Sequence, residues 1–128
     1  MSFKAKFKAA SIERNILAVD FGMLQETDPT GRPSSVTRGG KIHLKVEGTG
    51  ATDLFEWMTN SFERKDGSIV FIKRDSDATL KELKFTEAYI VKYKEDFDST
   101  GENPLTESFV LSAKEITLGN AKHTNEWV

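Results

Sequence analysis

The chain has 128 residues, enough for one domain spanning 1–128 with a real core. Charged residues make up 30%, both signs are interspersed and the formal net charge is −2, which excludes bulk attraction to nucleic acid or an anionic membrane. With no cysteine, disulfides, thiolate catalysis and zinc–thiolate sites are excluded, and no apolar run approaches the length of a membrane span.

The opening residues, Met1 to Lys8, alternate apolar and basic side chains, whereas a signal peptide needs a continuous apolar block. Synthesis in the cytoplasm without conventional export is the expectation. Phe3, Ala5, Phe7 and Ala9 against Lys4, Lys6 and Lys8 predict a half-buried strand. The lysines form a basic ribbon, but stacking on nucleic acid needs aromatics on the same surface, and here they lie on the opposite face. A solvated face is the preferred reading.

A second strand is predicted over Ile16–Gln25, with Leu17, Val19, Phe21 and Met23 in one phase and Ile16, Ala18 and Leu24 in the other. Glu26–Gly40 then holds two of the three prolines and only one strongly apolar residue, Val36. So long a connection inside a compact domain is usually functional or disordered. Its prolines argue for stiffness, since each fixes its own φ and restricts its predecessor. A stiff polar arm carrying Arg32 and Arg38 is suited to contact with something outside the chain. Alternation resumes at Ile42, Leu44 and Val46.

Ala51, Leu54, Phe55, Met58 and Phe62 recur at helical spacing, with Thr52 as N-cap. At about ten residues, below the ~12–15 that stand alone in water, this helix must pack on the sheet. Trp57 falls on the flank of its apolar stripe, where it serves boundary packing or a contact with another subunit. Further strands are predicted at 67–74, Leu83–Tyr93 and Leu105–Leu118, the last with a bulge near Lys114 and Glu115 where its apolar phase shifts.

Six strands and one helix give a mainly β fold, an antiparallel barrel or sandwich with a short flanking helix and a long extended loop. The outer face of a monomeric sandwich is normally polar. Ile16, Ala18, Leu24, Ala88 and Ile90 therefore predict a further buried face, most simply against another copy of the same chain.

Motifs for chemistry are sparse. Asp96, Asp98, Thr100, Gly101 and Glu107 approach the spacing of a calcium-binding EF-hand loop, but the flanks read as strands and a hairpin rich in turn residues explains the same letters. Asp75 and Asp77 read as a turn. His43 and His123 are too far apart for a local metal-ligand pattern. No phosphate loop, dinucleotide fingerprint or nucleophile elbow occurs.

The segments 25–40, with its Gly-Arg-Pro-Ser-Ser…Arg-Gly-Gly arm, 46–58, 63–98 and 103–116 together resemble the Hcp (TssD) tube proteins of type VI secretion, especially their Bacteroidetes branch. The resemblance implies a barrel-like β fold with a flanking helix, assembled into hexameric rings that stack into a hollow tube driven out by a contracting sheath. It implies no enzyme activity and no cofactor. Its partners would be further copies, the spike protein, the sheath and effectors carried in the lumen, with no nucleic acid and no membrane insertion. Assembly would be cytoplasmic, followed by secretion without a cleaved signal. The arm, Thr27 to Gly40, would reach a neighbouring subunit or the next ring, making Thr27, Asp28, Arg32, Pro33, Ser34, Ser35 and Arg38, with Trp57, the candidate interface residues. One departure is local: Ala9–Asn15 lacks the glycine-containing turn expected between the first two strands.

Two rivals remain distinguishable. A monomeric ligand-binding barrel predicts one apolar cavity, and a hydrolase using Asp75, Asp77 or His43 predicts a pocket containing those groups.

Overall fold

The computed structural model describes residues 3–127; Met1, Ser2 and Val128, the ends of the domain expected over 1–128 and part of the expected leaderless N-terminus, lie outside the described residues. The elements are β1 (Phe3–Ala9), β2 (Ile12–Phe21), β3 (Lys41–Glu47), α1 (Asp53–Thr59), β4 (Lys65–Lys73), β5 (Thr79–Phe97), β6 (Leu105–Leu118) and β7 (Ala121–Thr124). Strand order is β3-β2-β1-β4-β5-β6-β7, and β3 also pairs with β6, so six antiparallel strands close into a barrel. Closure removes the exposed edges that a sandwich would have to protect. β7, which the alternation did not reveal, pairs with Glu115–Leu118, continuing along β6 beyond the stretch that β3 occupies.

Inward side chains fill the barrel. Phe7 stacks on Phe85 at 5.8 Å and meets Phe109 edge-on at 5.2 Å between centroids. All three are buried, together with Ile42, Val46, Ile69 and Leu111. Each contributes roughly 1.5–3 kcal/mol by burial, and the aromatic pairs add about 0.5–1.5 kcal/mol of directional contact.

The two apolar phases in β2 and β5 have an internal cause, which corrects the expectation that a neighbour buries them. In β2 the register shifts between Ile16 and Ala18, so Ile12, Arg14 and Ile16 face inward before the shift and Val19 and Phe21 after it. In β5, Leu83 and Phe85 face inward, then Ala88 and Ile90, then Tyr93. The first switch falls at Glu87, held at φ 51°, and the second at the register shift between Ile90 and Lys92. Ala88 and Ile90 are thus core residues of this chain, not a second face. Bulges move one residue out of step, and every later side chain changes sides. Only Ala18 and Leu24 of the expected outer set are exposed. The phase shift expected at Lys114 and Glu115 is present, but β6 keeps register with β5 there because β5 shifts opposite it, at Glu87.

Two local expectations change as well. The β1–β2 connection needs no glycine: Ala10 takes φ 53° in the two-residue turn between the paired Ala9 and Ile12. That left-handed conformation costs a non-glycine residue about 1–2 kcal/mol, offset here by the strand pairing on either side. The helix is only seven residues long, and Thr52 occupies the N-cap position without a side-chain capping bond. Its buried face is Leu54 and Trp57, with Met58 half-buried, while Phe55 and Phe62 point to solvent.

Candidate subunit interface

Between β2 and β3 the chain forms a hairpin that pairs with itself and with no barrel strand among the described residues. Leu24 and Arg38 exchange backbone hydrogen bonds at 2.9 and 2.7 Å. Further out, Thr27 bridges Pro33, and the Ser34 amide donates to the Glu26 carbonyl at 2.7 Å. Ser35 Oγ accepts the Glu26 amide at 2.9 Å and donates to the Val36 carbonyl at 3.0 Å. Across the same rungs Arg38 Nε lies 3.0 Å from Glu26 Oε1.

The tip is built on Asp28. Its carbonyl accepts the Gly31 amide and its own amide donates to the Arg32 carbonyl, both at 2.9 Å. Gly31 sits at φ 88°, the left-handed position that closes a three-residue hairpin loop. Asp28 Oδ1 accepts from Thr30 Oγ1 at 2.6 Å, the Thr30 amide at 2.9 Å and the Arg32 amide at 3.1 Å. Those bonds, the Thr30 hydroxyl first, hold the carboxyl below the usual aspartate range. Arg32 makes no side-chain ion pair or hydrogen bond among the described residues, so it is the arm's available cation.

At its root the arm is latched by the C-terminal segment. Asn125 Nδ2 donates to the Gly39 and Ala113 carbonyls at 3.0 Å each, and its Oδ1 meets His123 Nε2 at 3.0 Å. Gly40, at φ 98°, runs so close to β6 that a Cβ there would lie 2.6 Å from the Ala113 carbonyl. Only glycine fits. The arm is therefore stiff at tip, middle and root by hydrogen bonding, with its prolines a secondary cause.

Thr27, Asp28, Arg32, Pro33, Ser34, Ser35 and Arg38 lie together on this hairpin. Trp57 does not join them. It is 1% exposed, sunk beneath α1, with Nε1 donating to the Glu63 carbonyl at 2.9 Å and Lys65 Nζ 5.6 Å from the ring centre. Of its two sequence readings, packing within the chain is the one realised, and the indole has almost no surface to offer a neighbour.

A buried polar cluster escaped sequence reasoning. Arg14, in step with inward Ile12 and Ile16, bonds Asp53 at the start of α1 and lies 3.3 Å from Glu107 Oε1. Arg14 and Glu107 side chains are each 3% exposed. Tyr93 Oη donates to Glu107 Oε2 at 2.6 Å; burial, then that carboxylate, pushes the phenol's pKa far up, so it stays a donor. The cluster ties α1 over the barrel end where β3 stops and β6 begins. A lone arginine inside an apolar phase was the available signal.

The weaker chemical candidates are dispersed. Glu107 is committed to Arg14, Asp96 lies 3.5 Å from Lys94, and Asp98 organises a turn by accepting from Thr100 Oγ1 at 2.7 Å and the Thr100 amide at 3.0 Å. Asp77 sits at φ 53° in the β4–β5 turn, 3.3 Å from Lys4 Nζ. His43 pairs with Asp20 at 3.1 Å on the outer face of β3, so the trio Asp75, Asp77 and His43 is not assembled into one site. Among the described residues no three acidic or histidine side chains converge as metal ligands. The main hollows are open grooves, one of about 410 Å³ across the outer faces of β2, β3, β5 and β6, another of about 380 Å³ at the arm's end of the barrel.

A six-strand barrel with a helix pinned over one end and a self-paired hairpin leaving the other is the architecture of a tube-forming subunit. The chain belongs to the Hcp (TssD) family: the family model for hemolysin coregulated protein Hcp (TssD) matches residues 1–128. Hcp1 from Flavobacterium johnsoniae is similar at 58% identity and TM-score 0.90, over 98% of this chain and 100% of that one. Hcp1 from Salmonella typhimurium shares the fold at TM-score 0.78 with 14% identity, over 97% and 95%. A chain from the sheath–tube complex of an extracellular contractile injection system shares it at TM-score 0.55 with 19% identity, over 94% and 89%. No curated protein matches the chain.

Proposed function

We propose that this chain is the structural subunit of a type VI secretion inner tube, closing into hexameric rings that stack and are expelled by a contractile sheath. The observation that carries this reading is the arm. It is a hydrogen-bonded hairpin, almost wholly exposed, spending its polar groups on its own rigidity while leaving Arg32 unpaired. A rigid polar projection with a free guanidinium fits a carboxylate on another subunit. The same arm gives a monomeric ligand-binding barrel nothing to do, and the barrel interior is filled by side chains. The chain acts by assembly, without catalysis. Its partners are further copies, the spike, the sheath and effectors in the lumen, and it leaves the cell as part of the expelled tube.

Native mass spectrometry and negative-stain imaging test the proposal together. Six-fold annular particles are expected for the wild-type chain. Arg32→Glu is expected to shift the mass toward monomer while circular dichroism stays unchanged. A strictly monomeric wild-type protein at high concentration would overturn the reading.

A further inference from the structure

The arm is rigid within itself, but little joins it to the barrel. β2 ends at Phe21, and on the return the chain is held from Gly40, whose carbonyl accepts the Ala113 amide at 2.8 Å. The Leu24–Arg38 rung closes the hairpin, which leaves Gly22–Met23 and Gly39 as its two joints. Among the described residues, one hydrogen bond ties those joints to the body of the chain, from Asn125 Nδ2 to the Gly39 carbonyl. A stiff body on two short joints turns as a unit unless something outside it fixes its direction.

Here the fixing is done by the tail after β7. The Asn125 amide donates to the Lys114 carbonyl at 2.7 Å, and Nδ2 bridges the Gly39 and Ala113 carbonyls, so one side chain pins the joint to β6. With Oδ1 accepting from His123 Nε2, both amide donors and the carbonyl of this side chain are in use. An aspartate there has no donor and sets a carboxylate against two carbonyl oxygens. His123 also lies against the joint, its Cδ2 3.4 Å from where a Cβ on Gly39 would stand. Past Asn125, Trp127 packs on Tyr89 with ring centroids 5.4 Å apart. Tyr89 falls between the inward Ala88 and Ile90, so this second anchor is on the outer face of β5, away from the arm.

We infer that residues 125–127 are a strap that sets the arm's direction and so presents Arg32 ready for a neighbouring subunit. Docked, the strap holds the hairpin in one orientation; undocked, it lets the hairpin swing as a rigid body while the barrel is unchanged. Asn125 is a positioning residue that acts through Gly39, and Trp127 acts through Asn125. The consequence for assembly rests on the tube reading, whereas the strap itself does not. A neighbour meeting a swinging arm binds more weakly, in proportion to the fraction of chains whose arm points correctly.

The chain has no cysteine, so two nitroxide labels can be placed without background. Val36→Cys, at an exposed position of the arm, is paired with Lys84→Cys on the outer face of β5, and Lys45→Cys with Lys84→Cys reports the barrel alone. Distances are read by double electron–electron resonance in Arg32→Glu chains diluted into unlabelled Arg32→Glu protein, so that neither a neighbour's grip nor a second labelled copy contributes. One narrow arm distance is expected. Asn125→Asp and Trp127→Ala should each spread it into a broad distribution while the barrel distance stays narrow. An arm distance that stays narrow in either variant overturns the inference, and so does a barrel distance that broadens with it. In the otherwise wild-type chain, Asn125→Asp is expected to need at least about tenfold more protein to form annular particles. Rings that form as readily as in wild type would overturn the strap's part in assembly. A wild-type protein that forms no rings would sink the ring reading, and the arm distances would still decide the strap.

Discussion

Arg14 is the residue on which the barrel's helix end depends. It is buried in step with isoleucines, where an unpaired guanidinium would be very unfavourable, so Asp53 and Glu107 must accompany it. Replacing it with methionine leaves Glu107 buried beside only the Tyr93 hydroxyl. The expected loss is ~3–5 kcal/mol in urea denaturation at neutral pH, with partial recovery when Glu107→Leu is added. A loss below about 1 kcal/mol, typical of an exposed pair, would show that the cluster does not hold α1 in place. Glu107 also shows how a motif misleads. Its spacing from Asp96 suits a calcium loop, while its side chain points into the barrel and is already spoken for.

The arm is the element whose order depends on a titratable group. Asp28 has its carboxyl pKa lowered in the folded chain, so the carboxylate form favours the closed tip. That contribution is present above the ordinary aspartate range and disappears as pH falls through the lowered value. Backbone relaxation of Thr30, Gly31 and Arg32 by nitrogen-15 NMR is expected to report a rigid tip at neutral pH and a mobile one well below about pH 4. Asp28→Ala should be mobile at both. A tip equally rigid in the variant would mean that the Gly31 turn alone suffices. The helix teaches a different lesson. Its apolar spacing was visible, but which residues faced inward was decided by the Arg14–Asp53 tie and by the Trp57 bond to Glu63.

For the molecule as a whole, barrel and arm separate energetically. The barrel closes through β3–β6 pairing and one continuous core, and the arm adds no side chain to that core. Replacing residues 26–35 with Asn-Gly should therefore keep the thermal midpoint within a few degrees, since shortening a loop changes closure entropy by well under about 1 kcal/mol. The same change is expected to abolish annular particles in negative stain. A large drop in midpoint would make the arm part of the fold, and intact rings would remove it from the interface.

Alternation and spacing by themselves determined the strand-rich class, β6 to its ends, the one short helix and the arm as an outlying polar segment, because these depend on local period and turn chemistry. The resemblance carried by the Gly-Arg-Pro-Ser-Ser…Arg-Gly-Gly stretch pointed to the family that the whole-chain match bears out. Phase beyond a bulge was not legible: a shift at Ile16/Ala18 or Glu87 reassigns every later side chain, and nothing local announces it. So apolar residues in both phases looked like two buried faces when they were one face reached twice. Tertiary structure alone decided barrel over sandwich, since that turns on β3 meeting β6 far along the chain. It alone sank Trp57 into the core and paired Arg14 with two distant carboxylates.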